Sequence, residues 1–197
     1  VTHMKITKIT LLSILALSLF TGCGDKEKID ENAIVQSVKK PTSITYNLSE
    51  SNNKAMKVTQ SDKNIWKFGD VKDKVVLLDF FGTWCPPCKA EIPHLNNIRK
   101  EYGKDFEIIG IDIGKRDGTQ NTQKELNDFI KEFSITYPIT LGGDNSKVFG
   151  AVSQLNPQGS IPFMVLFSKK GEYLTHYVGM KPEEMLFSDV KKAIEMK

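Results

Sequence analysis

The stretch Trp84-Cys85-Pro86-Pro87-Cys88 decides the fold, since it holds two of the three cysteines and joins an apolar run to a helical pattern. The run before it, Val75–Phe81, is β-branched and aromatic, which predicts a strand buried on both faces. The segment after it, Pro86–Tyr102, predicts a helix, because proline suits the first helical turn and apolar residues recur at three- and four-residue spacing. Cys85 is therefore expected just ahead of a helix N-terminus.

This position favours redox chemistry at the cysteine pair. The free N–H groups and the dipole of a first helical turn stabilise a thiolate, which is the reactive form of cysteine. Two intervening residues place Cys88 within disulfide distance, so we expect Cys85 to be the attacking sulfur and Cys88 the more buried, resolving one.

Two other uses of the cysteine pair are weaker. A zinc site would need two further ligands, and the remaining cysteine and histidines show no metal spacing. A purely structural disulfide that closes so short a loop would restrain little chain entropy.

Length and composition predict one domain with an N-terminal appendage. The chain has 197 residues, of which 40% are hydrophobic, enough for one good core. The net charge of +3 is too small to indicate a nucleic-acid partner.

The N-terminal segment reads as a signal peptide. Lys5 and Lys8 precede an apolar region at residues 9–20, which is short for a membrane span, and small residues then lead to Cys23. The arrangement resembles a bacterial lipoprotein signal, in which cleavage falls before a lipid-bearing cysteine. An ordinary signal peptide or an uncleaved anchor is the alternative, and each places the domain outside the cytoplasm. We predict a signal peptide at 1–22, a tether at 23–42 and one domain at 43–197.

Cysteine usage agrees with export. Once Cys23 is assigned to lipid, the exported part carries only Cys85 and Cys88. A single active pair without structural disulfides in an oxidising compartment indicates a redox protein.

The remaining pattern predicts an α/β fold. After two short N-terminal strands, the elements from residue 75 onward run strand, helix, strand, helix, strand, strand, helix, with a short strand and helix inserted near residues 139–151. This order predicts a mixed central sheet covered on both faces by helices.

Residues 43–197 resemble thioredoxin-fold proteins of the extracytoplasmic TlpA/ResA type. Residues 84–93 are similar to that family's signature, a Trp-Cys-x-x-Cys followed by Glu and Pro, and Gly159-Ser160-Ile161-Pro162 resembles its cis-proline loop. The resemblance implies an extra N-terminal hairpin and a central insertion at about residues 117–151.

The resemblance also implies site residues. Pro162 would form a cis peptide bond facing the cysteines, and Ile161 would offer its backbone to an extended substrate beside Trp84 and Pro86. Asp79 falls where thioredoxins carry a buried acid that relays the proton of the resolving cysteine. Glu91 is an alternative relay, although an acid near a helix start is more often a complement to the dipole.

The expected function is dithiol-disulfide exchange on protein substrates without a metal or other cofactor. The resemblance implies an extracytoplasmic, membrane-anchored reductant, for example in cytochrome c maturation, that receives electrons from a membrane thiol carrier. A copper-delivery protein using the cysteines as soft ligands is the second candidate. A thiol peroxidase is the third, and it would need Thr or Ser where Gly82 stands.

Overall fold

The computed structural model describes residues 43–196. The predicted signal peptide, the tether and the lipidation site at Cys23 lie outside the described residues and stay predictions. In the described part, no helix is both long enough and apolar enough to cross a bilayer.

The described residues contain eight strands, four α-helices and one short 3₁₀ helix at Ser153–Leu155. In chain order the strands and α-helices are β1 Ser43–Glu50, β2 Ala55–Ser61, β3 Trp66–Phe68, β4 Val75–Phe81, α1 Pro86–Tyr102, β5 Phe106–Asp112, α2 Gln123–Glu132, β6 Ile139–Leu141, α3 Asn145–Ala151, β7 Phe163–Phe167, β8 Tyr173–Val178 and α4 Glu183–Glu195.

All eight strands form one mixed sheet in the order β3-β2-β1-β6-β5-β4-β7-β8. The pairs β4–β5 and β5–β6 are parallel, and β7 and β8 complete that side antiparallel. The N-terminal hairpin joins the same sheet, because β1 pairs with β6 through Ser49 opposite Leu141 and Glu50 opposite Thr140. The predicted mixed α/β sheet with its hairpin and insertion is confirmed.

Strand β4 is an interior strand of the sheet, and its two faces contribute to two separate cores. Val75, Leu77 and Phe81 belong to a first core shared with helices α1, α2 and α4, whereas Val76, Leu78 and Phe80 belong to a second core shared with α3 and the N-terminal strands. Every residue of β4 is buried. This explains why six of the seven residues of β4 are apolar, with Asp79 as the exception, since both faces of the strand are covered.

The inserted helices begin differently from one another. Thr122 caps α2 in a capping box, in which its side chain accepts the N–H of Glu125 and the Glu125 side chain accepts the N–H of Thr122. Asp144 precedes α3 but its side chain caps nothing there. It accepts the backbone N–H of Asn47 at 2.8 Å instead, so it fastens the insertion to β1.

Candidate active site

The cysteine pair lies at the N-terminus of α1, as predicted. Cys85 is the N-cap residue with extended backbone, and its Sγ accepts the N–H of Cys88 at 3.3 Å. The two cysteines form a disulfide with their Cα atoms 5.3 Å apart. A thiolate at Cys85 after reduction would keep this N–H donor and the field of the helix terminus.

Cys85 and Cys88 are both buried, and, contrary to the expectation, Cys88 is not the more deeply buried of the two. Cys85 is 2% exposed and Cys88 is 4% exposed, so the expectation that Cys88 is the more buried is wrong for the disulfide form. The reason is packing, because both cysteines belong to the first core and the side chains of Trp84 and Ile161 lie against that core. The assignment of Cys85 as the attacking sulfur therefore rests on its place at the helix terminus.

The loop opposite the helix carries a cis peptide bond between Ile161 and Pro162, as the resemblance implies. Asn156 holds this loop, since its Nδ2 donates to the carbonyl of Ser160 at 2.7 Å and its Oδ1 accepts the Ser160 N–H at 3.2 Å. Beyond the loop, the N–H of Gly179 donates to the carbonyl of Pro162 at 2.8 Å. The sequence gives no periodic signal for Asn156, which stands in an irregular segment.

Asp79 lies on β4 and is 4% exposed. Burial raises the pKa of its carboxyl group to about 8, and the nearby charge of Glu91 adds to the rise. At neutral pH this group therefore holds its proton in most molecules, which suits a buried acid without a basic partner.

Glu91 is a second buried acid at the site. It is 1% exposed, and burial raises its pKa to about 7, while a hydrogen bond from the Lys181 backbone lowers it. Its Oε2 atom is buried and has no hydrogen-bond partner. The interpretation of Glu91 as a complement to the helix dipole is wrong, because it lies beyond the first turn and faces inward.

The sequence did contain a signal for the burial of Glu91. It stands three residues after Cys88 and directly before Ile92, on the stripe of α1 that continues through Leu95 and Ile98. Residues three and four apart share one face of a helix, so an acid on that stripe is predicted to point into the core.

Tyr137 is a third titratable group in this part of the core. It is 5% exposed, and burial and the charges of Asp79 and Glu91 raise its pKa well above the ordinary value. Tyr137 precedes β6 in the insertion, so the inserted segment supplies one wall of the region beneath the cysteines.

Trp84 and Pro86 flank Cys85. Pro86 is exposed, and Trp84 is half-buried with its Nε1 donating to the carbonyl of Gly114 at 2.9 Å. An open groove of about 640 Å³ runs from Trp84 along α2 and is lined on that helix by Glu125, Asp128 and Glu132. The groove therefore places an aromatic ring and several carboxylate side chains next to the start of α1.

The histidines and acids of the described residues form no metal-type cluster of three or more His, Cys, Asp or Glu side chains. His94 Nε2 lies 3.9 Å from Glu183, and His176 Nδ1 lies 2.7 Å from the hydroxyl of Tyr173. The Nδ1 atom of His94 is buried and has no hydrogen-bond partner.

A mixed sheet, a cysteine pair capping a helix and a cis-proline loop together define a thioredoxin-fold protein with a dithiol-disulfide site. The chain belongs to the AhpC/TSA family, whose model matches residues 51–185.

Within this family, the chain is similar to thiol-disulfide oxidoreductases named ResA. The thiol-disulfide oxidoreductase ResA of a Bacillus cereus strain is 30% identical over 124 residues, covering 62% of this chain and 65% of the relative. ResA of Bacillus subtilis (strain 168) is 26% identical over 121 residues, covering 61% and 62%. The predicted resemblance to the TlpA/ResA type is confirmed, and the matched part spans less than two thirds of these relatives.

Solved structures agree on the fold. A thiol:disulfide interchange protein of the thioredoxin family from Chlorobium tepidum TLS superposes with a TM-score of 0.59 at 22% identity, covering 76% of this chain and 93% of the other. The pneumococcal exposed lipoprotein thioredoxin from Streptococcus pneumoniae strain TIGR4 superposes with a TM-score of 0.57 at 19% identity, covering 76% and 99%.

Proposed function

We propose that the protein is a thiol-disulfide oxidoreductase that acts on protein disulfides outside the cytoplasm. The observation that carries the proposal is the place of Cys85, which caps α1 in the core that also packs against the cis-proline loop. A sulfur at a helix N-terminus is a stabilised thiolate, and a cis-proline turn exposes backbone to an extended chain.

The reaction is a two-electron transfer in two exchange steps. The Cys85 thiolate attacks one sulfur of a client disulfide, a Cys85–client mixed disulfide forms, and the other client sulfur leaves as a thiolate. Cys88 then loses its proton and attacks Cys85 Sγ, which forms the Cys85–Cys88 disulfide and releases the second client sulfur as a thiolate. The client is reduced and the protein is oxidised.

The proton of Cys88 needs an acceptor in the core. Glu91 lies on the face of α1 that carries Cys88 and has one oxygen without a hydrogen bond. With pKa values raised to about 7 and about 8, Glu91 and Asp79 exchange protons near neutral pH, as a general base requires. We assign the proton transfer to this pair of acids, with Glu91 ionised more readily than Asp79.

Client binding involves both sides of the cysteine pair. The backbone at Ile161 and Pro162 would pair with an extended client segment, and Trp84 and Pro86 would give it hydrophobic contact. Such contacts fix the client sulfur in line with Cys85, which is the main requirement for exchange.

The direction we propose is reduction. Pro86 and Pro87 lack N–H groups, so two positions of the first turn give no donor to the Cys85 sulfur. A thiolate with fewer donors has a pKa that is lowered only moderately, which favours a reductant. On the basis of the resemblance to the TlpA/ResA type, the proposal includes a membrane thiol carrier as the electron donor, apocytochrome c as a client and a lipid anchor at Cys23.

The reduction potential tests the direction. The protein would be equilibrated with glutathione or dithiothreitol buffers, and the free thiols of Cys85 and Cys88 counted by alkylation. A potential near that of thioredoxin, about −270 mV, or lower supports a reductant, whereas a value near −120 mV makes the protein an oxidant. A Cys88→Ser variant should accumulate a mixed disulfide with a client, and a Cys85→Ser variant should not.

A peroxidase fits the site poorly although the family model is that of AhpC/TSA proteins. The hydroxyl side chain that a peroxidase needs would replace Gly82, and a Cβ atom at Gly82 would lie 2.7 Å from Nε1 of Trp84. No such side chain is accommodated while the indole keeps its place. Consumption of hydroperoxide at a rate that exceeds disulfide reduction would overturn our proposal.

A further inference from the structure

A chain of hydrogen bonds runs from the indole of Trp84 into the end of the sheet. Trp84 Nε1 donates to the carbonyl of Gly114 at 2.9 Å, and the N–H of Gly114 donates to Asp112 Oδ1 at 3.2 Å. Asn121 Nδ2 lies 2.9 Å from Asp112 Oδ1 and 3.0 Å from Oδ2. The network returns to the residue before Trp84, because Thr83 Oγ1 donates to Asn121 Oδ1 at 3.5 Å.

The two polar residues at the centre of this chain are unusually buried. Asp112 is 0% exposed and Asn121 is 6% exposed. Burial raises the pKa of Asp112, and the hydrogen bonds from Asn121 and Gly114 lower it. A carboxyl group this deeply buried is costly unless its partners are fixed, so the position of Gly114 is fixed with them.

Two further contacts confine the indole itself. The guanidinium of Arg116 lies 4.7 Å from the centre of the Trp84 ring, and Gly82 leaves the space that the indole nitrogen occupies. Arg116 and Gly114 belong to the same loop after β5. One loop therefore holds the ring through a hydrogen bond at its edge and a cation at its face.

We propose that Asp112 and Asn121 are positioning residues that fix the indole of Trp84 beside the cysteine pair and thereby set the affinity for protein clients. The client part of this statement rests on the proposed function, and the placement of the indole does not. Neither residue is placed among the reacting groups, so their loss affects client docking more than exchange with small thiols.

Asn145 provides a matched control. It is 2% exposed, and its Nδ2 donates to the backbone carbonyls of Asp112 at 2.9 Å and Thr140 at 3.0 Å. Asn145 thus binds the same strand end through buried amide hydrogen bonds, but it forms no hydrogen bond with the Asp112 carboxylate or with Gly114. Its removal reproduces the loss of buried hydrogen bonds without releasing the indole.

The experiment compares Asn121→Ala with Asn145→Ala in the whole protein. The first measurement is Trp84 fluorescence in the oxidised and reduced forms, and a Trp84→Phe variant gives the contribution of Trp66. The second measurement is KM for a disulfide-bonded protein and for oxidised glutathione. We expect only Asn121→Ala to change the difference in Trp84 fluorescence between the oxidised and reduced forms. The same variant should raise KM for the protein substrate roughly tenfold, which corresponds to the loss of one positioned hydrogen bond, and should leave KM for oxidised glutathione nearly unchanged.

Equal fluorescence and equal KM values in the two alanine variants would overturn the proposal. If Asn121→Ala does not fold, Asp112→Asn is used in its place, since its amide keeps one oxygen for the N–H of Gly114 and weakens the contact with Asn121. An unchanged Trp84 signal in Asp112→Asn would also overturn the proposal. If the wild-type protein reduces no client but the Trp84 signal still separates Asn121→Ala from Asn145→Ala, the proposed function fails and the positioning stands.

Discussion

Glu91 and Lys181 are joined by a hydrogen bond of 3.1 Å from the backbone N–H of Lys181 to Oε1 of Glu91. This bond connects α1 with the segment between β8 and α4, and it occupies one of the two carboxylate oxygens. The other oxygen is buried and without a partner. A buried carboxylate with one oxygen hydrogen-bonded and the other without a partner can take up a proton on the second oxygen.

Glu91→Gln should slow the release of the mixed disulfide. In the wild-type protein the release rate should rise with pH through about 7, because the ionised form of Glu91 is the base. The glutamine variant should lose this rise and be slower by about 10²-fold above neutrality. Rapid-mixing measurement of client release from a preformed mixed disulfide gives both quantities.

The control for this variant is Glu184→Gln, which changes an exposed acid on α4. It should keep the wild-type pH profile. A Glu91→Gln protein with the same profile as the wild type would leave Asp79 as the proton acceptor.

Asp79→Asn should stabilise the protein at high pH. The pKa of Asp79 is raised in the folded state, so the folded protein binds more protons than the unfolded chain between about pH 4 and 8. Stability contributed by this group is therefore complete below the unfolded pKa and is lost as pH rises through about 8. Urea unfolding at pH 5 and pH 9 should show a gain for the variant of a few kcal/mol at pH 9 and a clearly smaller gain at pH 5. Asp62→Asn, on the surface, should shift neither value.

Gly110→Ala should destabilise the fold. Gly110 stands opposite Asp79 in the β4–β5 pairing, and a Cβ there would overlap the Ile139 side chain and come within 3.4 Å of the Tyr137 ring. Overpacking of this kind costs about 2 kcal/mol, measured as a fall in the urea midpoint. Gly150→Ala, in α3 with open space around it, should instead gain about 0.5 kcal/mol. An unchanged midpoint for Gly110→Ala would mean that the insertion moves freely against the sheet.

Cys23→Ala should release the protein from membranes if Cys23 carries the predicted lipid. The measurement is the fraction of protein that enters the detergent phase after separation, compared with a Cys85→Ala variant, which should partition like the wild type. Retention of Cys23→Ala in the detergent phase would favour an uncleaved N-terminal anchor.

The sequence predicted the elements around the cysteines well because each has a local cause. Local patterns predict these elements: the mostly apolar run of β4, the proline at the start of α1 and the apolar spacing within α1. The predicted bounds of Val75–Phe81 and Pro86–Tyr102 agree with the structure. The predicted pairing of Cys85 with Cys88 depends on sequence distance alone, and the structure contains that disulfide.

The polar support of the site could not be predicted because it depends on contacts between distant segments. Asn156, Asp112 and Asn121 stand in loops or at a strand end, where no periodicity separates a buried amide from a solvated one. The nearly equal burial of Cys85 and Cys88 depends on side chains such as Ile161, which the cis-proline loop brings from the other side of the core. Such features follow from the assembled fold.

The short strand β3 is tied to the turn between β7 and β8 by a hydrogen bond of 2.8 Å from the N–H of Trp66 to the carbonyl of Gly171. Free strand edges are where folded chains join one another into aggregates. An edge strand of three residues, one of which already donates its N–H to Gly171, offers little template for such growth. The hydrogen bond between Trp66 and Gly171 thus limits strand addition by another chain at the β3 edge of the sheet.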